Sequence, residues 1–168
     1  MKTARLYIRP FAEEDRESFI RGISNRDLCR MYGLPEKTDE TVGGQIFSQF
    51  ARLETAYSLI RISDGSMVGF VLSVQSELPD EILSELPARG RTFAYATFSP
   101  FQRSGYMHEA LQALIREAFH DRKAEYIHCG RFEYNAPSEA LLRRLGFKEF
   151  QRHSRNGKSI VDEVLTAD

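Results

Sequence analysis

The clearest hydrophobic pattern in the chain joins a strand to a helix between residues 93 and 119. Aromatic and small residues alternate over residues 93–98, which predicts a β-strand that stops at Ser99-Pro100. Further on, apolar residues recur with the i, i+3, i+4, i+7 spacing of a buried helical face. They are Met107, Ala110, Leu111, Leu114, Ile115, Ala118 and Phe119. A short polar turn, residues 102–107, separates the two elements.

This turn carries one glycine, one cation and a serine hydroxyl. The N–H groups in the first turn of a helix lack intrahelical partners, and the helix dipole favours negative charge there. The pattern is therefore suited to binding an anion such as a phosphate. Strand-turn-helix units are also common, and one glycine at a helix start often only eases the turn. Geometry alone leaves both interpretations open.

Shorter patterns on either side predict a mixed α/β domain. Alternating residues 4–9, 57–62, 67–74 and 125–132 predict strands, and residues 11–20, 25–32, 38–53 and 135–146 predict helices. Residues 147–153 and 159–165 predict two closing strands. Ser63-Asp64-Gly65-Ser66 and Asn156-Gly157 are hairpin signals between neighbouring strands. The strand at 93–98, the helix after it and the strand at 125–132 predict one parallel crossover.

Residues 75–91 form a long connection between two predicted strands. The segment is rich in acids (Glu77, Asp80, Glu81 and Glu85), and a short helix is predicted at residues 80–86. Connections of this length are uncommon and either extend into solvent or act as lids. A solvated excursion is the favoured interpretation, and a lid on the substrate side is the alternative.

Composition narrows the class of protein. The 168 residues are 42% hydrophobic and 28% charged, as expected for one globular domain spanning residues 1–168. A net charge of −1 and a pI near 6.4 argue against a nucleic-acid partner. Cys29 and Cys129 are expected to be reduced core thiols, and no metal-ligand spacing occurs. Without a long apolar run, we expect a cytoplasmic protein with no membrane partner.

Three motifs resemble one family. Gln102-x-x-Gly105-x-Met107 resembles the Q/R-x-x-G-x-G/A loop of GNAT-fold N-acetyltransferases, although Met107 stands where glycine or alanine is usual. The opening pattern from Thr3-x-Arg5-Leu6 to Glu14-Asp15 and the segment Asn135-x-x-Ser138 to Gly146-Phe147 resemble the Rim-type branch, the ribosomal-protein N-terminal acetyltransferases. Together the matches cover nearly the whole chain in the family's order.

The resemblance implies both a fold and a cosubstrate. The fold is a mixed, mostly antiparallel sheet of about seven strands with about four helices. The sheet is splayed at its centre between the strands that end near Phe98 and Phe132. The cosubstrate is acetyl-CoA, without a metal, bound through the turn and the preceding strand. The implied cofactor-binding residues are Thr97, Phe98, Gln102, Arg103, Ser104, Gly105, Tyr106, Met107 and Asn135.

The implied reaction transfers acetyl to a primary amine by direct attack, which requires a neutral amine. A lysine side chain is neutral in only about one molecule in 2,500 at pH 7, a deficit of about 4.6 kcal/mol. An α-amine with a pKa near 7.8 has a deficit of only about 1.2 kcal/mol. An N-terminal amine therefore needs little help from a base, whereas a lysine-like amine needs much more. Protein N-termini and small-molecule amines both remain candidate acceptors.

Catalytic roles follow from the resemblance residue by residue. Many GNAT enzymes use a tyrosine as the acid, at a position that is Leu142 here. Rim-type enzymes have a serine at the place of Ser138, which makes this residue the candidate acid, although Asn135 and Ser138 are also typical helix caps. Glu133 is preferred over His128 as the base. These two residues are five apart on one strand, so they face opposite sides of a regular sheet.

Other interpretations stay open. The departures at Met107 and Leu142 are compatible with a GNAT-fold module that binds CoA without catalysis, and a plain α/β interaction domain would bind no CoA. Glu133 is also plausible as a surface carboxylate. Arg103, Arg143 and Arg144 are suited either to CoA phosphates or to solvent. The hairpin at Asn156-Gly157 is compatible with a homodimer.

Overall fold

A computed structural model describes residues 1–34, 38–75, 78 and 85–167. This part of the chain contains seven β-strands and five α-helices. The strands are β1 (Leu6–Pro10), β2 (Ala56–Arg61), β3 (Met67–Gln75), β4 (Gly90–Thr97), β5 (Tyr126–Phe132), β6 (Lys148–Arg155) and β7 (Lys158–Thr166). The helices are α1 (Arg16–Ile23), α2 (Arg26–Tyr32), α3 (Glu40–Ala51), α4 (Tyr106–His120) and α5 (Ala136–Arg144). The mixed α/β prediction is confirmed, with one helix more than the expected four or so.

The strands form a seven-stranded sheet in the order β1-β2-β3-β4-β5-β7-β6. The β1/β2, β2/β3, β5/β7 and β6/β7 pairs are antiparallel, and the β4/β5 pair is parallel. Parallel neighbours require a crossover connection, which here contains α4. The predicted mostly antiparallel sheet with one parallel crossover is confirmed.

The parallel pairing covers only the start of each strand. Its three registered pairs are Gly90 with Tyr126, Arg91 with Ile127 and Thr92 with His128. A Cβ atom at Gly90 would lie 1.9 Å from the ring of Tyr126, so glycine is needed for this close approach. Thr92 and His128 are therefore neighbours at the last registered pair.

The contacts divide the chain into two compact units. The first consists of Met1–Leu72 and Tyr95–Leu111, and the second consists of Ser73–Ala94 and Gln112–Asp168. The first holds β1, β2 and α1–α3, and the second holds β5–β7 and α5. The strands β3 and β4 and the helix α4 contribute residues to both.

The core of the first unit is built on phenylalanines. Phe19 is fully buried, and its ring lies 5.4 Å from Phe11, 5.8 Å from Phe47 and 5.4 Å from Phe70. Tilted and edge-to-face arrangements of this kind add to the hydrophobic gain from burial. Ala96 and Phe98 at the end of β4 belong to the same cluster, so the core fixes the strand that leads into the polar turn.

A buried carboxylate changes the start of the first helical segment. The predicted helix at residues 11–20 begins instead as a 3-10 turn, Glu13–Asp15, before α1. Asp15 is 3% exposed and accepts hydrogen bonds from both terminal nitrogens of Arg9, from the N–H of Ala12 and from the hydroxyl of Ser58. The carboxylate therefore joins β1, β2 and the helix start, and does not act as a solvated charge in the first helical turn.

The two glycines within α3 allow close packing of helices. A Cβ atom at Gly43 would lie 3.0 Å from Ile20, and one at Gly44 would lie 2.7 Å from Arg16. Both neighbours belong to α1. The helix begins after Asp39, whose side chain accepts a hydrogen bond from the N–H of Val42. Helix packing and the cap thus compensate for the low helix propensity of glycine.

The second unit ends in the predicted hairpin. Arg155 of β6 pairs with Lys158 of β7, and the two turn residues, Asn156 and Gly157, both have positive φ, 52° and 72°. A two-residue turn with this geometry matches the twist of the flanking strands.

Both cysteines are free and buried, as predicted. Burial and the nearby Glu163 raise the pKa of Cys129 far above its ordinary value. The short helix predicted at residues 80–86, and the acids Glu77, Asp80 and Glu81 before and within it, lie outside the described residues except for its last two positions.

We predict that Asp15→Ala destabilises the protein by about 3 kcal/mol, because it removes one partner of a buried ion pair. The measurement is the free energy of unfolding in urea. Glu14→Ala is the matched control, since Glu14 contacts the same Arg9 but its side chain is 75% exposed. The control should cost less than about 1 kcal/mol. Equal effects would show that Asp15 makes no special contribution.

Candidate active site

The predicted turn lies in the first unit, directly before α4. Arg103 and Gly105 have positive φ angles of 59° and 78°, and the side chains of residues 102–105 are exposed. Across the part of the chain that the structure describes, the main-chain N–H groups of residues 103–108 donate no hydrogen bond, whereas the N–H of Glu109 donates to Gly105. Successive free N–H groups around left-handed residues are suited to anions.

The end of β4 is tied to the turn by Gln102. Its side-chain amide donates to the carbonyl of Thr97 at 3.2 Å. The N–H of Phe98 donates to the carbonyl of Val68, and Phe98 itself is buried. Of the predicted cofactor-binding residues, Thr97, Phe98 and Gln102 thus have protein contacts that set the path of the main chain.

Met107, the departure from the family pattern, is 6% exposed. Its side chain belongs to the buried face of α4 and leaves the exposed surface of the turn uncovered. Ser104 donates from its hydroxyl to the carbonyl of Gln102, which tightens the turn.

An ion pair that sequence reasoning missed supports the turn. Arg5 donates from Nε to Glu109 at 2.7 Å and from Nη1 to the carbonyl of Ser104 at 2.9 Å, and its guanidinium lies 4.6 Å from the ring centre of Tyr106. Glu109 also accepts from the N–H of Arg5 and from the hydroxyl of Thr3. The opening motif therefore positions the first turn of α4.

Three hydrogen bonds hold the Glu109 carboxylate in its charged form. Burial acts in the opposite direction, but the hydrogen bonds from Thr3 and Arg5 and the charge of Arg5 keep the pKa of Glu109 below its ordinary value. In the sequence, only the Thr3-x-Arg5 part of the opening motif pointed to the support that Arg5 and Glu109 give the turn. The partner of Arg5 lies 104 residues further along the chain.

Tyr32 is a second residue that the sequence did not single out. It ends α2, packs against the phenylalanine core and forms a hydrogen bond with the main chain of Thr97. Burial raises the pKa of Tyr32 above its ordinary value. The phenol is thus kept neutral beside the end of β4.

In the second unit, Asn135 caps α5. Its side-chain oxygen accepts from the N–H of Ser138 at 3.2 Å, and both residues are buried, 4% and 8% exposed. The cap interpretation of Asn135 is therefore confirmed. Leu142 is fully buried, and Arg143 and Arg144 are exposed.

Glu133, the preferred base, follows β5 directly. Its side chain is 51% exposed and accepts a hydrogen bond from Arg152, which also contacts Glu149. The carboxylate is thus already paired on the surface.

His128 has a different environment from Glu133. It is 7% exposed and contacts Thr92 through Nδ1, at 3.1 Å, and Asp162 through Nε2, at 2.9 Å. Asp162 is absent from the sequence prediction because nothing in the local pattern marks it.

Comparison with known proteins agrees with this architecture. Residues 5–148 match the acetyltransferase (GNAT) domain. No curated protein matches the chain in sequence. No helix among the described residues has the length and apolar character needed to cross a membrane.

Solved structures share the fold at low sequence identity. A GNAT-family acetyltransferase from Bacillus anthracis superposes with a TM-score of 0.82 at 17% identity, covering 99% of this chain and 97% of its own. An acetyltransferase from Agrobacterium tumefaciens gives 0.76 at 17%, covering 99% and 94%. The ribosomal-protein-S5-alanine acetyltransferase from Vibrio fischeri gives 0.77 at 14%, covering 100% and 96%.

The family match extends over most of the chain and includes the turn before α4, the cap of α5 and the strands that carry them. The fold and the parallel crossover agree with that match. The chain therefore belongs to the GNAT acetyltransferase family.

Proposed function

We propose that this protein transfers acetyl from acetyl-CoA to a primary amine. The observation that carries the proposal is the series of N–H groups at residues 103–108, which have no acceptor among the described residues. The pyrophosphate of CoA supplies charged oxygen acceptors for such donors. The fit rests on these donors and on the open side of Gly105.

Gly105 meets two requirements of a pyrophosphate site. Its φ of 78° is unfavourable for residues with a Cβ atom, and the nearest atom to a Cβ there would be a nitrogen of Arg5 at 3.4 Å. A phosphate therefore approaches the main chain without a side chain in between. Arg103, two residues before Gly105, adds an exposed positive charge.

The proposed chemistry is direct attack by the amine on the thioester that acetyl-CoA supplies. Ser138 is the proposed proton donor to the departing sulfur, by analogy with Rim-type enzymes. His128 on β5 and Glu133, directly after that strand, are the two candidate bases. Thr97 and Phe98 are the proposed strand partners of pantetheine, and Asn135 shapes the start of α5.

The acceptor is proposed to be a protein N-terminus or a small amine. The opening motif, which resembles that of the Rim-type branch, favours an N-terminal α-amine. A GNAT-fold module that binds CoA without turnover is the second candidate, because Leu142 stands where many family members have their catalytic tyrosine. We propose a cytoplasmic location and no metal.

Turnover separates these two candidates. Wild-type protein is mixed with acetyl-CoA and either an alanine-starting peptide or spermidine, and thiol release is followed. We expect turnover of at least one of the two amines. Binding of CoA with no turnover of either would favour the module.

We predict that Gly105→Val abolishes acetyl-CoA binding measured by calorimetry. The valine would be forced into positive φ and would cover the N–H donors. Gly65→Val is the matched control, since Gly65 has a φ of 72° but no atom within 4 Å of a Cβ. The control carries the same backbone strain and should bind normally. Unchanged affinity of Gly105→Val would show that the turn is not the cosubstrate site.

We predict that Arg5→Ala weakens acetyl-CoA binding roughly tenfold, about 1.4 kcal/mol, because the turn loses its support. Arg5→Lys should bind acetyl-CoA nearly as weakly. An ammonium cannot reproduce the two hydrogen bonds that the planar guanidinium donates to Glu109 and to the carbonyl of Ser104. Arg21→Ala, which removes an exposed helix charge, is the control and should leave binding unchanged.

Glu109→Gln distinguishes positioning from direct phosphate contact. If Arg5 positions the turn, removing the carboxylate weakens binding. If Arg5 binds the phosphate itself, removing the competing negative charge of Glu109 strengthens acetyl-CoA binding. That result would show that Arg5 does not act by positioning the turn.

The pH dependence of Glu109 provides a further prediction. A carboxyl group whose pKa is lowered on folding stabilises the protein above its ordinary pKa, 4.5, and loses that contribution as the pH falls toward the lowered value. The difference in free energy of unfolding between wild type and Glu109→Gln should therefore be full at pH 7 and shrink below about pH 4.5. A difference independent of pH would contradict the charged ion pair.

A further inference from the structure

A line of polar side chains crosses four strands of the second unit. Thr92 of β4 contacts His128 of β5, and His128 contacts Asp162 of β7. The other oxygen of Asp162 lies 3.1 Å from Nδ1 of His153 and accepts from the amide of Gln151 at 2.7 Å, both on β6. Hydrogen bonds thus join Thr92, His128, Asp162 and Gln151 across the four strands, and Nδ1 of His153 lies beside the same carboxylate.

The path leads from a protected interior to solvent. His128 and Asp162 are 7% and 3% exposed, Thr92 is half-buried, and the side chain of His153 is 42% exposed on the edge strand β6. Buried polar groups are retained when they are fully paired, and no buried side-chain nitrogen or oxygen lacks a partner across the described residues. A charge that forms at His128 therefore has a stabilising carboxylate on one side and a route outward.

The contacts set the direction of each hydrogen bond. Burial acts against ionisation of Asp162, but hydrogen bonds from His128 and Gln151 and the charges of His128 and His153 hold the pKa of Asp162 below its ordinary value. An ionised carboxylate only accepts, so Nε2 of His128 carries the proton and donates to Asp162. In neutral His128, Nδ1 is then an acceptor and takes the hydroxyl proton of Thr92.

Gly130 leaves this pair open on one side. A Cβ atom there would lie 3.4 Å from Asp162 and 3.8 Å from the ring of His128, so any side chain would cover them. Gly130 and Ala94 are both exposed, and they follow the last registered β4/β5 pair, Thr92 with His128. The His128–Asp162 pair is therefore covered only by small residues, at the point where the hydrogen-bonded pairing of β4 with β5 ends.

We propose that His128, oriented by Asp162, accepts the amine proton during acetyl transfer, with the hydroxyl of Thr92 as the relay and His153 as the exit. The proposal rests on the function proposed above and assigns the base to His128 in place of Glu133, whose carboxylate is held by Arg152. Asp162 is a positioning residue.

The proton balance is simple. The N–C bond forms as the C–S bond breaks, and the acceptor ammonium loses two protons. One passes through the hydroxyl of Thr92 to Nδ1 of His128 and leaves to solvent by way of Asp162 and His153. The second ends on the sulfur of CoA. The two ring nitrogens of an imidazole can take up a proton on one side and release one on the other, so His128 can pass the proton on.

Among the described residues of this unit, the charged contacts of His128 come from β7 and, through Asp162, from β6. Asp162 contacts it from β7, and His153 acts through Asp162 from β6. From β4 the neutral Thr92 faces it. A pH profile that depends on His128 therefore reports on this chain of residues.

The kinetic test compares wild type with His128→Gln and Asp162→Asn, with acetyl-CoA and either an alanine-starting peptide or spermidine. Glutamine keeps a donor toward Asp162 and an acceptor toward Thr92 but takes up no proton. We expect kcat to fall about a hundredfold in His128→Gln, the low end of the contribution of a general base. The acidic limb of the pH profile should disappear, with acetyl-CoA affinity unchanged. His120→Gln, at the exposed end of α4, is the control and should behave as wild type.

A second measurement needs no turnover. Long-range ¹H–¹⁵N spectra of the ligand-free protein should show His128 protonated at Nε2, and Asp162→Asn should alter that tautomer.

The outcomes are distinguishable. Undiminished turnover in His128→Gln, or an Nδ1-protonated ring in wild type, would overturn the relay while leaving the acetyltransferase proposal intact. Loss of acetyl-CoA affinity or of folding in both His128→Gln and Asp162→Asn would assign the chain a purely structural role. A wild-type protein that turns over neither amine would overturn both proposals.

Discussion

The ion pair between Arg5 and Glu109 is the constraint on which the candidate cosubstrate site depends. It joins the first strand to the start of α4, and the same guanidinium reaches the carbonyl of Ser104. A turn with left-handed residues and free N–H groups has little stability of its own, because it makes few internal hydrogen bonds. Support from a distant part of the chain lets such a turn present its donors in a fixed arrangement.

The two units contribute different chemistry. The first unit holds main-chain donors beside a strand anchored in a phenylalanine core. The second holds a buried chain of side chains in which histidine, carboxylate and hydroxyl groups are all paired. Under the proposed function, the first unit contributes the candidate anion site and the second contributes the candidate path for protons.

Local patterns predicted much of the fold. Alternation and helical spacing located all seven strands and the helices, and Asn156-Gly157 predicted its hairpin because positive φ at two successive residues is a local property. The start of α1 was predicted incorrectly, because Asp15 pairs with Ser58, 43 residues away. Met107 departs from the family motif, yet burial of its side chain explains why the turn tolerates it.

The site was predicted less completely than the fold, for the same reason. The turn and the cap at Asn135 are contiguous in sequence, so a motif reveals them. Arg5 with Glu109, and His128 with Asp162, are pairs that only the folded chain brings together, across 104 and 34 residues. Whether Ser138 acts as an acid depends on the position of a substrate, which no local pattern determines.

The most direct test of the account is an NMR titration with CoA that follows the backbone amide signals. If the turn before α4 binds the pyrophosphate, the amides of residues 103–108 should show the largest downfield shifts, as expected for N–H groups that gain charged acceptors. Saturable shifts confined to other parts of the chain, or no shifts at millimolar CoA, would contradict the account.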